Sequence, residues 1–233
     1  MKVLFAVIHL LMTLVLYVIG VAVIGCALVP ATLLVRWAGD LVLWHWGIGQ
    51  VVTVCLAMAA AFFVFGLTLM FLVGFLNMLL GLRLREGFYR AGQPETLKWF
   101  FVNAMFLCVR NVFMDFILLT PFCSIFYRMM GAKLGLGVQI NSKSVADLSL
   151  LEIGEGTVIG GNATVIGHIF ERGGIRLKKV KIGKNVVVGL NSVIMPGVEI
   201  GDGAIVAAGA IVPKGTVIAA KTVFRGREQE GHA

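Results

Sequence analysis

One histidine of this chain stands where it could act as an acid or a base. His168 is the only histidine between residues 131 and 221, and it interrupts a repeat instead of occupying one of that repeat's aliphatic positions. Histidine titrates near neutral pH, so it suits a general base that takes a proton from an attacking hydroxyl or amine. By position alone, a solvent-exposed loop histidine is an equally good interpretation.

Two carboxylates are candidates to orient this histidine. Glu171 follows His168 by three residues, and a carboxylate there could hold the imidazole tautomer and stabilise the imidazolium. A solvated loop carboxylate explains Glu171 equally well. Asp147, in an earlier interruption of the repeat, is a second candidate for that role or for binding an acceptor amine.

A metal site is not predicted. Zinc needs three or four protein ligands, whereas residues 131–221 contain His168 and no cysteine. No CxxC pair occurs among the four cysteines, so neither a cysteine metal site nor a disulfide framework is indicated. They are Cys26, Cys55, Cys108 and Cys123.

Residues 172–184, shortly after His168, include six basic residues and no acidic residue. A solvated loop near an anionic membrane is one interpretation, and a dock for phosphate groups or for an acidic protein surface is the other. Nucleic acid is not predicted as a partner, because interleaved aromatic residues are missing. We call these residues the basic run: Arg172, Arg176, Lys178, Lys179, Lys181 and Lys184.

The regions that must position these residues differ sharply in composition. Of 233 residues, 59% are hydrophobic and 14% charged, whereas an ordinary soluble domain has about 25% charged residues. Residues 1–130 hold 8 Lys/Arg and 4 Asp/Glu, and residues 131–233 hold 12 and 8. We therefore predict a membrane anchor over 1–130, a soluble domain over 131–221 and a short tail over 222–233.

Two membrane-spanning helices are predicted in the anchor. Residues 3–35 and 50–81 contain no Asp, Glu, Lys or Arg, and each exceeds the roughly 20 residues that cross a bilayer. A cleaved signal peptide is disfavoured, because the first apolar run continues well past Cys26. Pro30 is expected to end or kink the first helix, with an interfacial turn after it formed by Arg36, Trp37, Trp44 and Trp46.

A third stretch, residues 99–128, predicts an amphipathic or re-entrant helix, because its polar residues share one helical face. Basic residues in the preceding connection, 83–98, predict that this connection is cytoplasmic. If the third stretch does not cross the membrane, the soluble domain is cytoplasmic as well. The polar residues are Asn103, Arg110, Asn111 and Asp115.

An aliphatic residue recurs every six positions in the soluble half. Small residues mostly follow these positions, and two interruptions, 141–152 and 166–181, separate weaker hexads upstream. A six-residue period predicts a parallel β-helix with three short strands per coil, an aliphatic interior and insertions that build a binding face. The seven aliphatic positions are Ile182, Val188, Ile194, Ile200, Val206, Val212 and Ile218.

The segments 182–189, 194–203 and 206–215 resemble the last coils of the hexapeptide-repeat, left-handed β-helix acyltransferases. The stretches 126–135 and 167–172 more narrowly resemble the membrane-tethered β-helix domains of poly-lysine-type peptide synthetases. Those relatives carry several β-helix copies per chain, so the resemblance implies a homotrimer here. The expected fold is an α-helical membrane region followed by an all-β left-handed parallel β-helix.

The resemblance implies that His168 is the general base as an acceptor attacks a thioester. The implied donor is an acyl-CoA or a carrier-bound thioester, with the pantetheine arm of coenzyme A along the last coils and phosphates near the basic side chains. The implied cofactor-binding residues are Ala207, Ala208, Gly209, Lys214, Arg176, Lys178 and Lys179. The tail is too short for the long C-terminal helix of some relatives, so the resemblance predicts only part of their usual coenzyme pocket here.

These observations predict an integral membrane acyltransferase with a cytoplasmic β-helix, acting on an amine or hydroxyl acceptor. Membrane lipid and a carrier protein or peptide synthetase are the expected partners. The alternative is a non-catalytic trimeric scaffold that recruits a partner enzyme to the membrane. Thioester consumption by the purified protein separates the two.

Overall fold

The computed structural model describes residues 2–41 and 47–226, with side chains from residue 10 onward. The predicted interfacial pair Trp44 and Trp46 and the end of the tail lie outside the described residues. The helices are α1 (Lys2–Leu41), α2 (Ile48–Leu79), α3 (Pro94–Val112), α4 (Met114–Ile117) and α5 (Pro121–Met129), with one 3₁₀ turn at Leu148–Leu150. Strand β1 (Gly87–Arg90) lies between α2 and α3.

Fifteen further strands occupy the described part of the C-terminal half. They are β2 (Lys133–Leu134), β3 (Gln139–Ile140), β4 (Leu151–Ile153), β5 (Val158–Ile159), β6 (Thr164–Val165), β7 (His168–Glu171), β8 (Gly174–Leu177), β9 (Val180–Ile182), β10 (Val187–Val188), β11 (Val193–Ile194), β12 (Glu199–Ile200), β13 (Ile205–Val206), β14 (Ile211–Val212), β15 (Val217–Ile218) and β16 (Val223–Phe224). The chain divides into two compact units, Met1–Leu76 with Ala104–Phe113, and Asn77–Asn103 with Met114–Ala233.

The first unit is built around two apolar helices. Segments Leu10–Leu41 and Ile48–Leu79 have mean hydropathies of 2.6 and 2.5 and are long enough to cross a membrane. Pro30 lies inside α1, so of the two predicted outcomes the helix does not end there. Arg36 and Trp37 also lie within α1, so their predicted place in an interfacial turn is wrong. The Phe113 ring packs against the backbone of Gly66, where a side chain would collide with it.

The third predicted helix is not a single element. The chain between residues 94 and 129 forms α3, α4 and α5 in succession, with Leu119 in the left-handed region at φ 60° between the last two. Pro121 begins α5, where its fixed φ suits a first helical turn. The expected continuous amphipathic helix over 99–128 is therefore wrong, because the backbone turns at residue 113 and again at residues 118–120.

The second unit contains a parallel β-helix with three faces. Face 1 has the strand order β16-β13-β10-β5-β3, face 2 has β14-β11-β6, and face 3 has β15-β12-β9-β4-β2. Val188 pairs with Val206, Ile194 with Val212 and Ile200 with Ile218. Each partner is eighteen residues on, so three hexads make one coil, as the period predicts.

The predicted aliphatic positions fill the interior of the coils. All seven, from Ile182 to Ile218, are at most 5% exposed. The glycine after an aliphatic position allows coils to stack closely, since a Cβ at Gly189 would lie 2.5 Å from the Ala208 nitrogen. The left-handed backbone instead occurs two positions later, at residues such as Asn185, Asn191 and Gly209.

Both interruptions of the repeat leave the coil at one place, the turn from face 2 to face 3, which we call the 2–3 corner. In the upper coils this corner is a four-residue turn, 195–198 or 213–216. Lower in the stack it is the five-residue turn 146–150 and the fourteen-residue excursion 166–179. The excursion is a hairpin of β7 and β8, and β1 pairs antiparallel with β8 to make a three-stranded sheet.

Candidate active site

The coil geometry brings two of the candidate residues together. Val145 bridges Val165 on face 2, so the turn that carries Asp147 and the hairpin that carries His168 leave neighbouring coils at the same corner. Stacked coils place equivalent corners side by side, although 21 positions separate the two residues along the chain. Asp147 adopts φ 55° and ψ 43°, a left-handed conformation that aspartate tolerates better than most residues.

Asp147 and His168 form a hydrogen-bonded pair. Asp147 Oδ2 lies 2.6 Å from His168 Nδ1, with the carboxylate side chain 3% exposed and the imidazole 22% exposed. An ionised carboxylate only accepts hydrogen bonds, so the shared proton resides on Nδ1. In the neutral imidazole with this tautomer, Nε2 carries the lone pair that can take a proton from outside the pair. Both residues are candidates from the sequence, and in the structure Asp147 is the hydrogen-bond partner of His168.

Two further donors, which sequence reasoning missed, also bond the Asp147 carboxylate. Trp99 Nε1 donates to Oδ1 at 2.7 Å, and the Gly167 backbone nitrogen donates to Oδ2 at 2.9 Å. A buried carboxylate is costly without such partners, and these donors offset that cost. A side chain at Gly167 would be crowded, because a Cβ there would lie 3.0 Å from Leu150 Cδ1 and 3.1 Å from the Lys178 carbonyl oxygen.

Aromatic rings surround the imidazole. The ring centroids of Trp99 and His168 are 4.8 Å apart, those of Trp99 and Phe170 5.5 Å, and those of His168 and Phe170 6.0 Å. Trp99 is buried, whereas Phe170 is 59% exposed. The open side of His168 is thus bordered by an apolar surface that a substrate with an apolar portion could contact.

Glu171, the other candidate partner of His168, lies elsewhere in the site. Residues 168–171 form strand β7 instead of a loop, and side chains three positions apart on a strand point to opposite faces. Glu171 bonds Arg176 Nε and Lys214 Nζ, each at 2.7 Å. These cations, Lys214 first, lower the pKa of the Glu171 carboxyl below its usual value.

The basic run is not a single patch. Arg176 pairs with Glu171 and stacks over the Phe88 ring at 5.2 Å, while Lys179 Nζ lies 3.6 Å from Glu152. Lys181, on face 3, pairs with Glu199 at 2.8 Å, which raises the pKa of the Lys181 ammonium. Glu152, Glu171 and Glu199 therefore neutralise part of the basic run.

A cleft of about 380 Å³ lies at the 2–3 corner beside the hairpin. It unites three of the predicted cofactor-binding residues, Arg176, Lys178 and Lys214, with Glu171 at its edge. Lys179 does not line it. Its lining is Ile169, Glu171, Arg176, Lys178, Pro196, Lys214 and Gly215.

The other predicted cofactor-binding residues belong to a different corner. Ala207, Ala208 and Gly209 lie in the turn from β13 to β14, between faces 1 and 2. Lys214 lies in the turn from β14 to β15, between faces 2 and 3. The structure therefore divides this predicted set between two edges of the β-helix. Among the described residues, no group of three or more His, Cys, Asp or Glu side chains is placed to hold a metal ion.

A family model matches part of the repeat. Residues 179–214 match the model described as the hexapeptide repeat of succinyl-transferase. The matched segment runs from the end of the hairpin to the 2–3 corner at Lys214. No curated protein sequence matches the chain.

Solved structures of acetyltransferases align with this chain at low identity. A hexapeptide-repeat acetyltransferase of Vibrio cholerae is 24% identical over 40% of this chain and 57% of its own, with a TM-score of 0.37. This chain thus spans little more than half the length of that protein. A maltose O-acetyltransferase of Clostridium difficile 630 is 20% identical over 59% of this chain and 87% of its own, with a TM-score of 0.43.

Proposed function

We propose that this protein is a membrane-anchored acyltransferase that moves an acyl or aminoacyl group from a thioester to an amine or hydroxyl. The observation that carries the proposal is the Asp147–His168 pair, buried on the carboxylate side and open on the imidazole side. The match of residues 179–214 to a transferase repeat supports the same reaction class. A non-catalytic scaffold offers no reason for a buried carboxylate that bonds a partly exposed histidine and is itself held by two further donors.

His168 acts as the general base in this proposal. The acceptor hydroxyl or amine attacks the thioester carbonyl carbon while Nε2 takes its proton, and Asp147 stabilises the resulting imidazolium. The tetrahedral intermediate then collapses, the carbon–sulfur bond breaks, and the departing thiolate takes the proton from Nε2. Atoms and charges balance, and the reaction needs no metal ion.

Binding of the donor is assigned to the cleft at the 2–3 corner. Arg176, Lys178 and Lys214 bring three positive charges against the one carboxylate of Glu171, so the cleft favours an anionic group. Phosphates of coenzyme A, or an acidic surface of a carrier protein, have the required charge. The corner at Ala207, Ala208 and Gly209, between faces 1 and 2, lies off the path from this cleft to His168, so within one chain it is not assigned to the same donor.

Anchoring by α1 and α2, with the β-helix on the cytoplasmic side, is part of the proposal. Strand β1 precedes α3 and pairs with β8, which follows it. Leu84 also donates to Ser149 Oγ. Residues on both sides of α3 therefore share one side of the membrane, so α3 does not cross it. The basic connection 83–98 favours the cytoplasm for that side.

Trimer formation and a left-handed coil are proposed from the resemblance to the hexapeptide-repeat enzymes. Apolar side chains on the outer surface of face 1 support assembly, because Val187, Ile205 and Val223 are 42–53% exposed. Exposed apolar surface of this kind marks an interaction face. The molecular mass of the protein in nanodiscs, measured by mass photometry, tests the trimer directly.

A donor assay tests the proposed activity. The full chain, purified in detergent, is incubated with acetyl-CoA and a membrane extract, thiol release is measured, and the product is identified by mass spectrometry. His168→Ala is expected to slow release by at least about 100-fold, while the control His232→Ala keeps the wild-type rate. Equal rates in the wild type and His168→Ala would contradict the role of His168. No release from acetyl-CoA or from a carrier-bound acetyl thioester would favour the scaffold.

A further inference from the structure

Trp99 reaches the Asp147–His168 pair from outside the β-helix. It lies near the start of α3, and the chain before it is attached to the hairpin through β1. The turn between β1 and α3 is closed by hydrogen bonds from Arg90 N to Gln93 Oε1 at 2.7 Å and from Thr96 Oγ1 to Arg90 O at 2.9 Å. These hydrogen bonds fix the start of α3, the helix that carries Trp99.

The indole contacts both members of the pair. Its N–H donates to Asp147 Oδ1 at 2.7 Å, and its ring lies against the His168 imidazole with an interplanar angle of 57°. We propose that Trp99 is a positioning residue, which fixes the Asp147 carboxylate and thereby keeps the His168 proton on Nδ1 and the Nε2 lone pair outward. The segment between α2 and α3 then supplies part of the active site in addition to joining two helices.

Packing alone does not account for this arrangement. A phenyl ring would fill the same apolar space, but only the indole N–H satisfies Oδ1, since Gly167 and His168 both bond Oδ2. Without that donor, a buried acceptor loses its partner and the carboxylate can rotate. The nearest charged groups on the hairpin, Glu171 and Arg176, pair with each other and do not replace the lost bond.

This inference deepens the proposed function, because it assigns a residue to the same site. Its closing measurement needs no substrate. Nitrogen-15 NMR of histidine-labelled full chain in detergent reports which imidazole nitrogen carries the proton, and His168→Gln assigns the signal among the four histidines. In the wild type we expect one tautomer, protonated at Nδ1, and in Trp99→Phe a mixture of the two neutral tautomers.

Two further variants control this measurement. Trp37→Phe makes the same substitution on α1 and should leave the His168 tautomer unchanged. Asp147→Asn keeps a residue that tolerates the left-handed backbone. In the full chain labelled with nitrogen-15 tryptophan, it should move the Trp99 indole N–H signal, which Trp99→Phe assigns. This second readout is made in a chain whose tryptophan is intact, so it applies even if Trp99→Phe is less stable than the wild type.

The outcomes separate the inference from the proposed reaction. If Trp99→Phe retains the single Nδ1-protonated tautomer, or the indole signal ignores Asp147→Asn, Trp99 is not a positioning residue, whatever the activity. If the tautomer responds, the role of Trp99 stands even if no thioester is consumed. With an active donor, we expect kcat of Trp99→Phe to fall by about 10- to 100-fold, with KM for the donor unchanged.

Discussion

The regular coils form the aliphatic core of the β-helix, whereas the 2–3 corner carries the polar residues of the candidate site. In the coils from residue 182 onward, each turn repeats the last, and the side chains that stabilise the fold are aliphatic and point inward. At the 2–3 corner, two neighbouring coils depart from the repeat, and the side chains that matter are polar and point away from the aliphatic interior. The interior positions Val165 and Ile182, on either side of the hairpin, remain buried despite the excursion.

This difference shows how chemistry can be added to a repeat without changing its core. A longer turn costs little conformational free energy when its ends are already fixed by stacked strands. The corner then gathers residues from three distant segments, namely Trp99, Asp147 and His168. Substitutions at the corner should therefore lower activity and leave the stability of the fold nearly unchanged. Substitutions in the interior of the coils should lower stability and leave the activity per folded molecule unchanged.

Asp147→Asn changes the corner and leaves the coils intact, and we expect it to have the largest effect on activity. Asparagine suits the left-handed backbone at this position, but its amide can present an N–H to His168 and favour the wrong tautomer. We expect kcat for acyl transfer to fall by about 100- to 10,000-fold, with little change in melting temperature. The measurement is thiol release from the donor that the wild type uses.

Glu152→Gln is the matched control for this substitution. It exchanges a carboxylate of face 3, paired with Lys133 at 2.9 Å, for an amide of the same shape. Its activity should equal that of the wild type. If Asp147→Asn and Glu152→Gln are equally active, the Asp147–His168 pair has no catalytic function and the distinction between corner and coil fails.

Ile194→Ala damages the coil instead. Ile194 is fully buried on β11, and removal of its side chain leaves a cavity that costs about 2–5 kcal/mol of folding free energy. Chemical denaturation of the full chain in detergent, followed by circular dichroism, measures this loss. The activity per folded molecule should be unchanged.

Ile211→Ala, on the neighbouring strand β14, is the control for burial. Its side chain is 58% exposed, so the same truncation should alter stability by no more than about 0.5 kcal/mol. Equal destabilisation by Ile194→Ala and Ile211→Ala would mean that the aliphatic positions do not form the core of the coils.

The two regions also differ in how far the sequence alone could predict them. The coil repeats a local rule every six residues, so burial at positions such as Val188 and Val206 follows from the period. The corner obeys no local rule. Asp147 and His168 were each recognisable as candidates, but their contact depends on which coil edges stack, and that needs the three-dimensional path of the chain.

Trp99 and Glu171 illustrate the two ways in which the prediction of the site failed. Trp99 contacts a residue 48 positions away, and an indole in an apolar helix carries no signal of its hydrogen-bond partner. Glu171 was close to His168 in sequence, but the segment is a strand, and alternation turns the two side chains apart.

The cleft offers a third test, of how the corner binds its donor. Charge reversal in Lys178→Glu with Lys214→Glu removes two cations, each worth about 0.2–1 kcal/mol when exposed. We expect KM for the thioester donor to rise by about three- to tenfold while kcat changes little. The matched variant Lys133→Glu with Lys181→Glu on face 3 should leave KM unchanged. An unchanged KM in the cleft variant would place donor binding elsewhere.

The smallest expected effect concerns the ion pairs at the edge of the cleft. Lys214 and Arg176 lower the pKa of Glu171, so their pairing contributes stability at pH values above the ordinary pKa of a glutamate. That contribution disappears as the pH falls through the lowered pKa. The melting temperature of Glu171→Gln should therefore lie slightly below that of the wild type at pH 7, by a few degrees at most, and the two should converge as the pH falls through the lowered pKa of Glu171, which lies below that of an ordinary glutamate. A difference that persists after the Glu171 carboxyl is protonated would mean that Glu171 stabilises the hairpin through packing and not through its charge.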